Sequence, residues 1–171
     1  MAIHTHLDEI IKYKETIKDM FSKSQMVLAL IADNPNLQLD SDEALDIADQ
    51  HIFDYDYIDG TQTQTGAFIM VDVDMVDRPT PTMKDLVVYV QIVVSKSYMS
   101  LKGRGFIGVK GNRKDNLARF VDLCINNSSE FGIGRIGLDT AITGNVPDGY
   151  TSKVLTYSVP DFARNRSVGN I

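Results

Sequence analysis

Apolar residues recur at three- and four-residue spacing over residues 5–24, at Leu7, Ile10, Ile11, Ile17, Met20 and Phe21. Lys12, Glu15, Lys18, Asp19 and Lys23 hold much of the remaining surface, so the segment is predicted as an amphipathic helix. Met26 to Ala32 is an unbroken apolar run. Periodicity cannot separate a buried helix from a strand there; the Leu, Ala and Met content favours a helix. Asn34-Pro35-Asn36 then breaks the chain. Ser41 is placed to cap a short helix reaching about Gln50, with Asp42 and Glu43 in its first turn. His51 to Gly60 reads as polar, aromatic and turn-like.

The period changes to two after that point. From Ala67 to Val76, Ile69, Val71, Val73 and Met75 share one parity, and Phe68, Met70, Asp72 and Asp74 share the other. This is the pattern of a half-buried strand. Arg78 to Thr82 is a Pro-rich connector. Leu86 to Val94 is mostly apolar on both parities, which predicts a central strand covered on both faces. Residues 95–112 read as a long glycine-rich loop, and Asn112 or its neighbour caps a helix to about Asn126 whose buried stripe is Leu117, Phe120, Val121, Cys124 and Ile125. Phe131 to Thr140 and Tyr150 to Val159 are predicted as the last two strands, separated by a turn at Asn145 to Gly149.

The predicted order is helix, helix, helix, strand, strand, helix, strand, strand. Helices and strands do not alternate, which excludes a doubly wound α/β fold. The expected fold class is α+β, a mostly antiparallel four-stranded sheet with helices packed on one face. At 171 residues the chain suits a single domain. Its parts are an N-terminal helical part (1–50), a sheet-and-helix core (60–163) and a flexible tail (164–171).

Charge narrows the range of partners. The net charge is −6 and the sequence pI is about 4.9, which does not supply the basic field a general nucleic-acid grip needs. Acids dominate positions 40–85, whereas Lys102, Arg104, Lys110, Arg113, Lys114 and Arg119 crowd into one short stretch. The one cysteine, Cys124, sits in an apolar helical context and is read as a small buried hydrophobe. Met1-Ala2-Ile3-His4 lacks the basic flank and apolar run of a secretory signal, and no apolar segment approaches the ~20 residues that span a bilayer. A cytoplasmic location and no membrane partner are expected.

Candidate chemistry is sparse. Asp72, Asp74 and Asp77, with Asp54, Asp56 and Asp59 upstream, are the carboxylates from which a metal-dependent nuclease could be built. Asp72 and Asp74, however, lie on the polar parity of an amphipathic strand, where solvated acids are expected anyway. Asp85 to Lys96 echoes a restriction-type nuclease core, but the acid required two positions before the lysine is replaced by Val94. His4, His6 and His51 have no spacing that makes a zinc site. The glycines at 103–111 match no phosphate loop, and Gly132 to Gly137 leads into a strand instead of a helix. No catalytic residue, cofactor or metal is expected. The loops 54–65, 77–85 and 95–112 are read as long, polar and lightly anchored, a character that suits contacts with other proteins.

Several stretches together resemble a known family. They are His51 to Ile58 followed by Phe68 to Val73; Val87 to Val94 running into Ser97-Tyr98-Met99; and Gly111 to Ala118, Phe131 to Leu138 and Val154 to Phe162. They resemble structural proteins of the neck and tail of tailed bacteriophages and prophages, most of all the tail-terminator or tail-completion group. The resemblance spans residues 45–163. It implies a virion protein with no enzymatic activity, forming a homo-oligomeric ring, commonly a hexamer. Such a ring caps the tail tube and joins it to the head-side connector, with DNA passing through its lumen without specific binding. A head-closure protein is the alternative within the same class, and a small metal-dependent nuclease is the alternative outside it. On this reading the subunit-interface candidates are Lys102, Arg104, Lys110, Arg113, Lys114 and Arg119 against Asp54, Asp56, Asp72, Asp74 and Asp77, two strips of opposite charge that read equally well as two solvated faces of a monomer.

Overall fold

The computed structural model describes residues 6–55, 64–77, 83–131 and 134–162. Three helices come first: α1 (His6–Ser22), α2 (Gln25–Ala32) and α3 (Asp42–His51). Strands β1 (Ile52–Phe53), β2 (Ala67–Asp77) and β3 (Met83–Ser95) follow, then a single 3-10 turn (Lys96–Tyr98) and α4 (Arg113–Ile125). β4 (Gly137–Gly144) and β5 (Tyr150–Phe162) complete the order. The flexible tail predicted at 164–171 lies outside the described residues.

Local chemistry accounts for the helix boundaries. The Ser41 hydroxyl accepts from the Ala44 N–H at 3.2 Å, satisfying one of the free donors at the start of α3. Asn112 does the same for α4, its side-chain oxygen accepting from the Asp115 N–H at 2.9 Å. The Met26 to Ala32 run is a helix, as its composition indicates, and Val27, Leu28, Ala29, Leu30 and Ile31 are all buried. A helix apolar on every side needs cover on every side. α2 obtains it from α1, α3, α4 and β2.

The sheet corrects the expected fold class. It has five strands in the order β1-β2-β3-β5-β4, and it is mixed: β1 runs parallel to β2, with Ile52 opposite Ile69 and Phe53 opposite Met70. The other pairings are antiparallel. The additional strand lies in the stretch read as a turn. Two residues are too few to show any period, and Ile52 is fixed by its burial beside β2.

β4 also starts later than predicted. Ile136 is buried, and its backbone closes a loop after α4: its N–H bonds to Ser128 and its carbonyl accepts from Asn127, which turns with φ 66°. The ladder with β5 begins only at Gly137, and a bulge follows between Leu138 and Thr140.

One parity of the sheet builds the core. Ile69, Val71 and Val73 of β2, Leu86 to Val94 of β3 at alternate positions, and Leu155 and Tyr157 of β5 pack with Ile17, Phe21, Leu117 and Val121 of the helices. A fully buried side chain of this size contributes about 1.5–3 kcal/mol. β3 is central, as predicted, but the two faces differ. On the second parity Val87, Tyr89 and Gln91 are half-buried, and only Val93 is buried. A strand flanked by two partners tolerates apolar residues on its less covered face, so composition alone overstated the cover.

Candidate assembly surfaces and the anchored loop

The predicted basic stretch is divided by the fold into an inside and an outside. α2 ends at Ala32, and Asp33 follows in the left-handed region at φ 59°. The last carbonyls of any helix lack intrahelical partners. Here the segment after β3 supplies them. The Arg113 guanidinium donates to the Leu30 carbonyl, and the Tyr98 hydroxyl donates to the Ile31 carbonyl at 3.0 Å. Arg113 Nε also donates to the Tyr98 carbonyl at 2.7 Å, and its guanidinium lies over the Tyr98 ring, 4.0 Å from the centroid. The Asp33 carboxylate pairs with Arg113 at 2.5 Å and with Arg104 at 2.8 Å.

Arg113 is 0 % exposed, so its charge is held against the negative end of a helix dipole and a carboxylate. Burial raises the Tyr98 hydroxyl above its ordinary value, with the Arg113 charge pulling the other way. The loop expected to be lightly anchored is therefore tied at both ends. Its C-terminal end is held further by Asn116, whose amide donates to the Lys110 carbonyl at 2.8 Å. Between the ties, Gly105 and Gly108 take φ of 82° and 76°, a conformation that a residue with a Cβ adopts at a cost. Leu101 is buried, Phe106 and Val109 pack on the core, and Ile107 stands 97 % exposed at the apex.

The remaining cations have mixed roles. Lys102 and Lys110 are exposed on this loop, and Arg104 is exposed while it holds Asp33. Lys114 donates to the Thr151 hydroxyl at 2.8 Å, tying α4 to β5. Arg119 is exposed, with its guanidinium 5.3 Å from the Phe120 ring centroid.

Among the described residues the acids do not converge. Asp72 pairs with Lys14 of α1 at 2.6 Å, and the same ammonium donates to the Asp54 carbonyl at 3.2 Å. Asp74 is exposed, and Asp77 closes β2 opposite Lys84. Asp56 and Asp59 lie outside the described residues. No group of three or more His, Cys, Asp or Glu is placed to hold a metal among the described residues.

The family model YomW matches residues 7–159. The chain belongs to the YomW family. No curated protein matches it. Among solved structures, a chain from the virion of a native gene transfer agent particle matches with a TM-score of 0.51 at 9 % identity. The match covers 88 % of this chain and 94 % of that one. At such identity the likeness establishes a shared fold.

Three further titratable groups of this YomW-family chain, Cys124, His51 and Tyr157, are taken up in packing. Cys124 is half-buried against the core, and burial raises its thiol above the ordinary value, which disfavours a thiolate. His51 stacks on Phe68 at 5.0 Å, and burial holds its pKa below the ordinary value. Tyr157 is raised further still by burial and by Asp122, which accepts its hydroxyl at 3.2 Å. No helix among the described residues is long and apolar enough to cross a membrane. Sequence reasoning missed Asp33 and Tyr98. Their signal is the break at Asn34-Pro35 after an apolar helix, which leaves buried carbonyls in need of donors.

Proposed function

We propose that this protein is a structural subunit of a virion or virion-like particle, and specifically a ring-forming tail terminator. It caps the tail tube, joins it to the head-side connector, and assembles with copies of itself, most simply as a hexamer. The carrying observation is the correspondence with a chain of a gene transfer agent virion, which runs nearly end to end in both chains.

The side-chain geometry supports the same reading. The described acids are dispersed or paired, and the strongest polar network is spent on holding a loop in place. An acidic chain also suits a DNA conduit, since like charge keeps DNA from adhering to the wall. The test is to image the purified protein by negative stain with mass measurement by light scattering, and to label it with antibody on particles from the host of this gene. Rings, with label at the head–tail joint, are expected. Label confined to the head, label absent from particles, or Mg²⁺-dependent cleavage of DNA by the pure protein would overturn the assignment.

A further inference from the structure

The two ends of the sheet are unequal, and each leaves something unmade. At one end, no strand pairs with the outer edge of β4 among the described residues. β4 is also wet on both faces: Leu138 to Thr143 are all exposed, Ile142 by 58 %. Its only protections are one bulge and Asp139, with no Lys or Pro along its length. An edge of that kind is a ready template for another strand. At the other end, β1 covers β2 only at Ile69 and Met70, so the edge of β2 is unpaired from Val73 to Asp77 among the described residues.

These two edges are complementary. β2 is antiparallel to β3, β3 to β5, and β5 to β4, so β4 runs opposite to β2. Two copies set side by side, with their helices on the same side, would bring β4 and β2 together as an antiparallel pair. The faces agree as well. Leu138 and Ala141 lie opposite Tyr157 and Leu155 on the helix side, and Val73 and Met75 hold that parity in β2. Shape and charge extend the match beyond the backbone. α1 packs over β2, and its Lys14 reaches past β1 to Asp72. At 100° per residue, Leu7, Ile11 and Lys18 share the flank of Lys14. Leu7 and Ile11 are 67 % and 57 % exposed there. On the β4 side, Asp139 is exposed beside Leu138, and Asp122 sits above Tyr157.

We propose that β4 takes up the free edge of β2 from a second copy of this chain, continuing the sheet across the boundary. The α1 flank of that copy, with Leu7, Ile11 and Lys18, then covers Leu138 and Ala141 beside Asp139. The contact is head-to-tail, so it repeats from copy to copy and forms a ring where the rotation between copies closes. The inference deepens the ring reading above and rests on it.

Three variants test it: Ile142→Lys, the double change Leu7→Glu with Ile11→Glu, and Ile107→Lys as a surface control. All alter exposed positions, and circular dichroism checks that each folds. The assembly midpoint by sedimentation should rise at least about tenfold (~1.4 kcal/mol) for the first two and stay at the wild-type value for the third. A mixture of Thr140→Cys and Asp74→Cys chains, both lacking Cys124, should cross-link with a short thiol reagent, while neither alone should. Wild-type rings that persist in Ile142→Lys, or cross-linking of Thr140→Cys to itself, would overturn the edge contact and leave the ring reading standing. A wild-type chain that stays monomeric at every concentration would remove both.

Discussion

Replacing Arg113 with Met keeps much of the apolar stem and removes the guanidinium. Three acceptors lose their donor: the Leu30 carbonyl, the Tyr98 carbonyl and one oxygen of Asp33. Taking one partner from a buried ion pair costs about 3–5 kcal/mol, because the other charge stays behind unpaired. Asp33 keeps Arg104 at 2.8 Å, which places the expected loss in the lower half of that range. A loss of about 3–4 kcal/mol is a large share of the ~5–15 kcal/mol that holds a domain together. At 2–4 °C per kcal/mol for a chain of this length, Tm should fall by about 6–16 °C. Arg104→Ala removes only an exposed cation and should cost about 0.2–1 kcal/mol. Asp33→Asn tolerates the left-handed backbone and strips the charge, so a double-mutant cycle with Arg113→Met isolates the pair. Urea unfolding should give a coupling of at least about 1 kcal/mol. Hydrogen exchange should show the amides of residues 99–112 losing protection in Arg113→Met. A Tm within about 2 °C of wild type, or a cycle in which the two changes simply add, would refute the anchoring argument.

Three further expectations follow from single groups. The Ser152 hydroxyl is buried with no hydrogen-bond partner among the described residues, so Ser152→Ala should leave stability unchanged or raise it by about 1 kcal/mol, and a clear drop in Tm would contradict this. Asn112→Ala removes the α4 cap and should cost about 1 kcal/mol by urea unfolding, whereas an unchanged midpoint would mean the cap is idle. His51 is held below 6.5 mainly by burial, partly offset by its 3.0 Å bond to the Ala67 carbonyl. The unfolded chain therefore binds more protons just below that pH, so the His51 contribution is complete above 6.5 and is lost as pH falls through the folded-state value. Tm measured from about pH 7.5 down to about pH 5 should decline, and His51→Gln should flatten the slope; a flat wild-type profile would contradict the burial effect.

The elements legible in the sequence are those whose signal is local. α1, α3 and α4 declare themselves by period and cap, and β2 by a clean alternation that the structure preserves in Ile69, Val71 and Val73. What escaped was decided by tertiary contact. β1 has two residues, and a parallel partner 17 positions ahead in the register leaves no trace in its own composition. β4 was displaced because Phe131 and Ile136 are apolar for the sake of the core and not of a ladder. The 95–112 segment looked loose because glycine and lysine are common in solvated loops. Two of its anchors, Tyr98 and Arg113, reach acceptors more than sixty residues earlier in the chain.

The same division explains why charge in the sequence was a poor guide to surface. The six cations of the 102–119 stretch look equivalent by type and spacing, yet the fold assigns them different work. Arg113 caps a helix from inside the core, Arg104 secures Asp33 at the rim, and Lys114 ties α4 to β5. Only Lys102, Lys110 and Arg119 remain exposed without such an assigned ion pair or hydrogen bond within the described residues. Among the acids, Asp72 is committed to Lys14 while Asp74 is exposed. A contact between copies must therefore draw on backbone edges and apolar side chains as much as on opposed strips of charge. Salt makes the distinction measurable, since exposed ion pairs weaken within a Debye length of about 8–10 Å while a sheet edge and buried aliphatic groups do not. Assembly through β4 should accordingly survive raised ionic strength and fail with Ile142→Lys. Assembly through the charged strips alone would dissolve in salt and ignore that substitution.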